Sequence, residues 1–495
     1  MSHPELQYHV EGEMTVFQVP IVRTGTAALN RALFSKSIGI AAAAVHDNKT
    51  IAHYRKALQA SKEILQADRV SPICPHPDKT LADQGRKCLL LNPSVKAEVL
   101  KDGVQKKDLS VIPYELKLDY DYWSYRDVMA SILPEELHDE IPSGFNIAGH
   151  VAHLNLRDAY VPYKHLIAEI LLDKNPQIRT VINKVDNVGA ESEFRTFQYE
   201  VLAGPDDMHV TVNEGDCTFE FDYSKVYWNS KLETEHRRLV TLFQPGEVVC
   251  DVMAGIGPFA VPAGKKRVFV WANDKNPESF KCLEAAIQKN KVAPFVRPFC
   301  EDGRTFIRRA ADEVLEASRR GDCAVIPPKV KPPRRSSNSS GRQPSPRRAA
   351  PKEERIPIPP TISHFVMNLP ASAIEFLPGY RGLYAGHEDL FAPSPSANGR
   401  RLPMVHVHCF GPKADDDGPK LDVCERVSKA LGVRVRLARE GEDPAAEGVE
   451  EEKVGEDGVP EVVVGVHLVR AVAPAKSMYC ASFRLPRAVA FAARD

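Results

Sequence analysis

The chain has 495 residues, 43% of them hydrophobic and 26% charged, with a formal net charge of -1 at pH 7. That length is too great for one ordinary domain, and roughly two to four are expected. The composition is that of soluble globular protein, and no uninterrupted apolar run of about 18 residues exists, so a helix crossing a membrane is not expected.

The near-zero net charge hides an uneven distribution. Residues 328–354 are strongly basic and 440–457 strongly acidic, which keeps a nucleic-acid partner open. Ten cysteines are scattered with no CxxC pair. That spacing fits a reduced compartment with buried thiols and argues against structural zinc, and no metal is expected. The opening stretch MSHPELQYHVEGE is acidic and polar, unlike a secretory signal or an arginine-rich transit peptide. The expected setting is solution inside a cell.

Residues 1–110 mix short helical patterns with proline-rich turns such as PICPHPD, and the best helix signal runs from Ala42 to Lys62. Residues 111–200 alternate. YELKLDYDYW reads as a strand, YRDVMASILP as a helix ended by Pro134, and GHVAHLNL as a strand. VPYKHLIAEILLDKN follows as an amphipathic helix and TVINKVD as a further strand, which makes a small α+β unit. Residues 201–228 carry linking strands, VTVNEGDCTFEFDYSKVYW, with EGD as the turn.

From 229 to about 490 the pattern becomes an open α/β sheet. SKLETEHRRLVTLF is helical and breaks at Pro245-Gly246. VVCDVMAG, RVFVWAND, FVRPFCED and HFVMNLP are short apolar runs of the kind that form buried parallel strands, and PMVHVHCF, VRVRLA and VVVGVHLVRAV add more. A Pro/Ser/Arg-rich stretch near 324–360 and an acidic one near 438–458 interrupt this domain, and both are expected to be disordered insertions. Arg334, Arg335, Arg347 and Arg348 of the first could reach RNA.

The sharpest constellation is V-V-C-D-V-M-A-G-I-G-P-F, starting at Val248. A buried strand runs into a turn at Gly255 and Gly257, where the backbone can pass close to a ligand. With Ala260 last, the spacing also suits a dinucleotide site. Two details favour S-adenosylmethionine. Asp251 precedes the glycines, where a carboxylate suits a cationic amine better than a pyrophosphate, and Pro258 removes an N–H that a phosphate would want. Asp274 ends the next strand 19 residues beyond Gly255, placed to accept ribose hydroxyls. Asp302 ends the third, placed for an adenine amino group with Gly303 letting the base approach. Any one acid reads as a surface carboxylate or helix cap. Three on consecutive strand ends read as a site.

The fourth strand ends at Asn368-Leu369-Pro370, where an asparagine can donate and accept toward a planar base, unless it merely forms a turn. Upstream, Tyr227, Lys231 and Glu235 are spaced by four and share a face if the segment is helical throughout; a salt-bridged surface helix is the plainer reading.

Taken together, LNRALFSKSI, the 111–200 unit, VYWNSKLETEH, DVMAGIGPF, WANDKNP, HFVMNLPASA, PMVHVHCF and VRAVAPAKSMYCASFRLP closely resemble the archaeal and eukaryotic tRNA (guanine-37-N1)-methyltransferases. The resemblance runs over about 28–485, apart from the two insertions. It implies an α/β, Rossmann-like class I methyltransferase domain preceded by a tRNA-docking region and a small RNA-binding domain. It implies S-adenosylmethionine as cofactor, tRNA with a guanosine 3′ of the anticodon as partner, and support of the reading frame. It places the general base on Glu235, guanine contacts on Arg195 and Asn368, and the stacking aromatic on Tyr227. Cofactor contacts fall on His236, Asp274, Lys275, Asp302, Gly303 and Asn368, beside Asp251, Gly255 and Gly257. A monomer is expected, in cytoplasm, nucleus and mitochondrial matrix. One departure is Ser230-Lys231, where the family commonly has Pro-Arg; lysine keeps the charge and loses the bidentate fork.

Three competing readings differ in chemistry. An aminocarboxypropyl transferase of wyosine-type tRNA modification would use the same cofactor, and Glu235 beside an intact Asn-Leu-Pro argues against it. A nicotinamide-dependent oxidoreductase is disfavoured by Asp251 and Pro258. A non-catalytic RNA-binding module would use residues 111–200 for docking alone.

Overall fold

The computed structural model describes residues 17–23, 25, 28–95, 109–185, 194, 196–327, 353–392, 400–445, 453–454 and 460–494. Contacts divide the chain into two units. One comprises Met1–Phe145, Ala152–Lys184 and Tyr199–Asp206; the other comprises Asn146–Val151, Val185–Gln198 and Asp207–Asp495.

In the first unit Lys36–Val45 is a ten-residue strand, not the start of a helix. Its alanines are good helix formers, but Ala41 to Val45 are buried between two antiparallel neighbours, Lys87–Leu90 and Leu109–Leu118, and that pairing overrides propensity. The expected helix shrinks to Ile51–Ala60. Since Lys36–Val45 pairs along its length with Leu109–Leu118, the boundary expected at 110 falls inside one sheet. Helix Tyr125–Ile132 opens on a capping box of Ser124 and Asp127. Helix Lys164–Lys174 and the strands Val151–Leu154, Thr180–Lys184 and Tyr199–Ala203 follow the alternation expected of 111–200.

The second unit begins its sheets with a hairpin, His209–Glu214 against Cys217–Asp222. It turns at Gly215-Asp216, both with positive φ (55° and 58°), the backbone a two-residue hairpin turn requires. Among the described residues its main sheet has nine strands. Val248–Asp251 pairs in parallel with Phe269–Asn273 on one side and His364–Met367 on the other. Val296–Phe299 extends the first side, and Met404–Pro412 the second. Lys476–Arg484 and Pro460–Ala473 continue antiparallel, and Arg434–Leu437 closes the edge. The winding reverses at Val248–Asp251, and the crevice at the carboxyl ends beside such a switch is where open α/β sheets bind ligands. The α/β expectation holds.

The two insertions are more structured at their ends than expected. Cys323–Ile326 and Glu354–Pro357 pair as a ribbon, because their β-branched and apolar residues can share a ladder that the Ser/Arg-rich stretch cannot. Residues 328–352, with Arg334, Arg335, Arg347 and Arg348, lie outside the described residues. In the acidic stretch Arg436 forks onto Glu442 at 2.7 Å twice, and Lys453–Val454 pairs with the start of Pro460–Ala473; the disorder expected of 446–452 and 455–459 falls outside the described residues. No helix among the described residues is long and apolar enough to cross a membrane.

One buried side chain fixes the ends of the first three parallel strands. Asn273 is fully buried, and its Nδ2 donates to the carbonyls of Val252 (3.1 Å) and Glu301 (3.0 Å). Its Oδ1 accepts from the Glu301 amide at 3.0 Å. Asn273→Ala would leave these backbone groups unpaired, and it should destabilise the unit by about 2–3 kcal/mol. An unchanged urea-unfolding midpoint would contradict that role.

Candidate functional site

The turn after Val248–Asp251 is built by two glycines with positive φ, Gly255 at 56° and Gly257 at 96°. A Cβ on Gly257 would meet Leu283 at 2.7 Å and Val261 at 2.9 Å, so Gly257 packs the turn and faces no ligand. The Gly255 amide donates to Asp274 Oδ2 at 2.7 Å, and the Asn276 amide to Oδ1 at 2.9 Å. Asp274 therefore joins the first and second strand ends, with lone pairs left for a ligand. Burial raises its pKa, and these two amides oppose the rise.

One cavity is lined by Tyr227, His236, Gly255, Asp274, Lys275, Asp302, Gly303 and Asn368, the sequence-expected residues that the fold brings together. Asp302 caps helix Gly303–Arg319 through the Arg304 amide (2.9 Å) and faces Lys275 at 3.7 Å. A Cβ on Gly303 would crowd two other wall residues, Phe376 at 3.0 Å and Val252 at 3.1 Å, so glycine keeps the wall close-packed and smooth there. His236 bonds to the buried Glu214 and packs edge-on against Phe259. Two buried polar atoms of the lining, Asn368 Oδ1 and Trp228 Nε1, have no hydrogen-bond partner among the described residues. Such atoms are costly unless a ligand meets them.

Asp251, Gly257 and Glu235 are not in the lining. Asp251 is fully buried behind it; among the described residues neither carboxylate oxygen has a well-formed hydrogen bond, and the Met253 backbone is the one group that acts on it in that way. Burial, and then the charge of Asp274, pushes its carboxyl up to about 8. Glu235 is 3% exposed; Arg238 grips both of its oxygens (2.7 and 2.8 Å), and His408 Nε2 lies 2.8 Å from Oε1. Burial alone would raise its pKa, but hydrogen bonds from Arg238 and His408 outweigh it and hold the carboxyl down to about 2. The α-helix starts only at Glu233, after a 3-10 turn at Ser230–Leu232, so the common face expected of Tyr227, Lys231 and Glu235 does not form. Tyr227 faces the cavity, Lys231 is exposed, and Glu235 turns inward. Arg195 lies outside the described residues.

Sequence reasoning missed several walls. Phe194, Trp228 and Phe376 supply the aromatic surface, and Asn276 lines the cavity while capping helix Pro277–Lys289. Asn276 could have been found, since Asn before Pro is a helix-start signal. Tyr227, Asn229, Leu232 and Asn368 also border a second hollow, closed by Pro370, Phe410 and Arg470. Glu235, His408 and Cys480 place ligand-type atoms within 4.8 Å of one another, but the guanidinium of Arg238 occupies the carboxylate where a metal ion would sit.

Residues 125–207 match the family described as TYW2 N-terminal domain, and 210–324 the TRM5/TYW2 methyltransferase domain. A Neurospora crassa protein named tRNA (guanine(37)-N(1))-methyltransferase is 63% identical over 506 aligned residues, covering 100% of both chains. A Schizosaccharomyces pombe protein of the same name is 42% identical over 94% of this chain and 95% of its own. Among solved structures, Trm5b from Pyrococcus abyssi gives a TM-score of 0.54 at 21% identity, covering 90% of this chain and 99% of that one. A complex of aTrm5 with tRNALeu gives 0.52 at 16% identity with the same coverage. At these identities the likeness shows a shared fold.

Two carboxylates held above their usual range, Asp274 in the cavity wall and Asp251 buried behind it, predict that a cationic ligand binds with release of a proton. A cation favours the ionised acids, so affinity rises with pH below the raised pKa. For S-adenosylmethionine we expect binding roughly fivefold tighter at about pH 7 than at about pH 6, while its own amine stays protonated. Asp251→Asn should flatten that dependence; a wild-type dissociation constant independent of pH would refute the linkage.

Proposed function

The chain belongs to the tRNA (guanine(37)-N(1))-methyltransferase family, and we propose how its residues divide the reaction it performs, transfer of a methyl group to N1 of guanosine 37 in tRNA. The observation that carries this reading is one cavity in which Asp274, Gly303 and Asn368, from the ends of three different strands, meet beside Tyr227.

S-adenosylmethionine, when bound, supplies a methyl group already activated on its sulfonium. Asp274 accepts from the ribose, the smooth wall at Gly303 takes the adenine, and the field of Asp251 and Asp274 favours the positive end of the ligand. Asn368 Oδ1, unpartnered among the described residues, and the Tyr227 ring, shared with the second hollow, support placing the guanine there, edge-on to Asn368 and against Tyr227. Arg195 donates to guanine O6, where negative charge gathers as N1 loses its proton; its neighbour Phe194 lines the cavity. Much of the remaining rate comes from alignment of N1 with the methyl group.

Glu235 takes the N1 proton. It lies three residues beyond Leu232, which borders both hollows, and catalytic contacts loose in a free enzyme tighten once substrate binds. Its carboxylate is already ionised, held so by Arg238 and His408. A target base must leave its stack in the anticodon loop to enter this pocket. Cofactor contacts from His236, Lys275 and Asp302, docking of tRNA by the residues before 229, a monomeric enzyme, and action in cytoplasm, nucleus and mitochondrial matrix belong to the same proposal. The aminocarboxypropyl alternative is disfavoured by full-length relatives at 63% and 57% identity that carry the methyltransferase name.

Single-turnover transfer to a tRNA bearing guanosine 37 tests the assignment. Glu235→Gln should slow the step about 100-fold or more with cofactor affinity within about twofold of wild type. Asn368→Ala should lower the rate and weaken cofactor binding together, because it faces both ligands. Wild-type rates in both variants would sink the arrangement.

A further inference from the structure

His408 stands outside the cavity, yet it touches the site from behind at two points. Its Nε2 lies 2.8 Å from Glu235 Oε1, and its Nδ1 lies 3.2 Å from the carbonyl oxygen of Met367, the residue before Asn368. The ring is fully buried on strand Met404–Pro412. A carboxylate and a peptide carbonyl only accept hydrogen bonds, so each ring nitrogen must carry a hydrogen to satisfy both. The partners thus select the imidazolium.

The surrounding charges agree. Glu235 faces the ring from helix Glu233–Leu242, with Arg238 of the same helix bound to its carboxylate, and Cys480 faces it from strand Lys476–Arg484. His406 lies on its own strand and is pushed well below its usual range by burial and neighbouring charge, so it adds no second cation. His467 of strand Pro460–Ala473 sits 3.9 Å from the other Glu235 oxygen, its pKa lowered by burial and by Arg238, and Asp251 feels the ring's charge from the first strand end. For His408 itself burial acts downward, and Cys480 and Glu235 carry it up to about 10. Arg238 already grips both oxygens of Glu235, so His408 is not needed to pair that charge. What it adds is a tie to a second element.

The geometry points to His408 as a positioning residue for methyl transfer, an imidazolium strut that holds the Glu235 carboxylate and the Met367-Asn368 strand end at a fixed spacing. This rests on Glu235 being the base. A proton acceptor and a base-edge contact on different elements would otherwise drift independently, and misplacement of a reacting group by an ångström costs rate steeply.

Two variants separate the contacts. His408→Asn sets an amide nitrogen near the Nδ1 position and keeps only the Met367 bond; His408→Gln sets one near Nε2 and keeps only the Glu235 bond. We expect single-turnover methylation to fall about 100-fold in the first and about tenfold in the second, with the dissociation constant for S-adenosylmethionine within about twofold of wild type. In a double-mutant cycle His408→Asn should add nothing to Glu235→Gln, as members of one unit do. Nitrogen-15 NMR of histidine-labelled wild-type enzyme should show both nitrogens of His408 protonated at neutral pH, with the second hydrogen lost in Glu235→Gln. A rate above half of wild type in His408→Asn, a loss additive with Glu235→Gln, or a singly protonated wild-type ring overturns the inference. The NMR result decides it even where His408→Asn fails to fold. Should Glu235→Gln keep the wild-type rate, the base assignment itself fails; should Glu235→Gln be slow and His408→Asn fast, only the strut fails.

Discussion

Three parallel strand ends are held at one level by the amide of Asn273, and the site is suspended from that clamp. It anchors Val252 and Glu301, whose neighbours Met253 to Ile256 and Asp302-Gly303 form the cavity wall. It also precedes Asp274, whose carboxylate takes the Gly255 and Asn276 amides. A buried asparagine with all of its bonds made costs nothing in unpaired groups and rigidifies its neighbours. From there the wall needs only glycine where a Cβ would intrude, as at Gly303, and a polar edge from the fourth strand, Asn368.

The acids around this wall are prepared in opposite ways. Asp251 and Asp274 are buried with no cation hydrogen-bonded to them among the described residues, and burial carries the carboxyl of Asp251 up to about 8. Glu235 is buried with two cations and held down to about 2. One pair awaits positive charge from a ligand; the other acid is supplied with it in advance. Neighbouring carboxyls whose environments push them apart are how a site assigns different tasks to one side-chain type. A strongly held carboxylate is a weak base, and guanine N1 is a weak acid. In the proposed reaction the donor to O6 narrows that gap, because it stabilises the negative charge left on the ring as N1 loses its proton.

Much of the sheet and its ligand edge was legible in the sequence because buried parallel strands are short apolar runs, and VVCD, FVWAN and HFVM are each followed at once by a lining residue, Val252, Asp274 and Asn368. The turn of EGD was legible because only a few residues tolerate positive φ. Three things were not. The alanine run of Lys36–Val45 is chemically neutral between helix and strand until its partners are known. The inward turn of Glu235 depends on a helix starting at Glu233, two residues away, on Arg238 one turn along the same helix, and on His408 waiting on a strand of the sheet. His408 itself shows in VHVHCF only as half of an alternating pair; that it reaches Glu235, 173 positions away, is a fact of the folded sheet.

The most direct measurement offers the enzyme methyl-labelled S-adenosylmethionine and two unmodified tRNA transcripts that differ only in carrying guanosine or adenosine beside the anticodon, followed by nuclease digestion and mass analysis of the nucleosides. A carboxylate that removes a ring proton predicts label on N1 of guanosine 37 and none on the adenosine transcript, whose N1 bears no proton. Equal labelling of both transcripts, label at another atom, or an aminocarboxypropyl adduct in place of methyl would contradict the account.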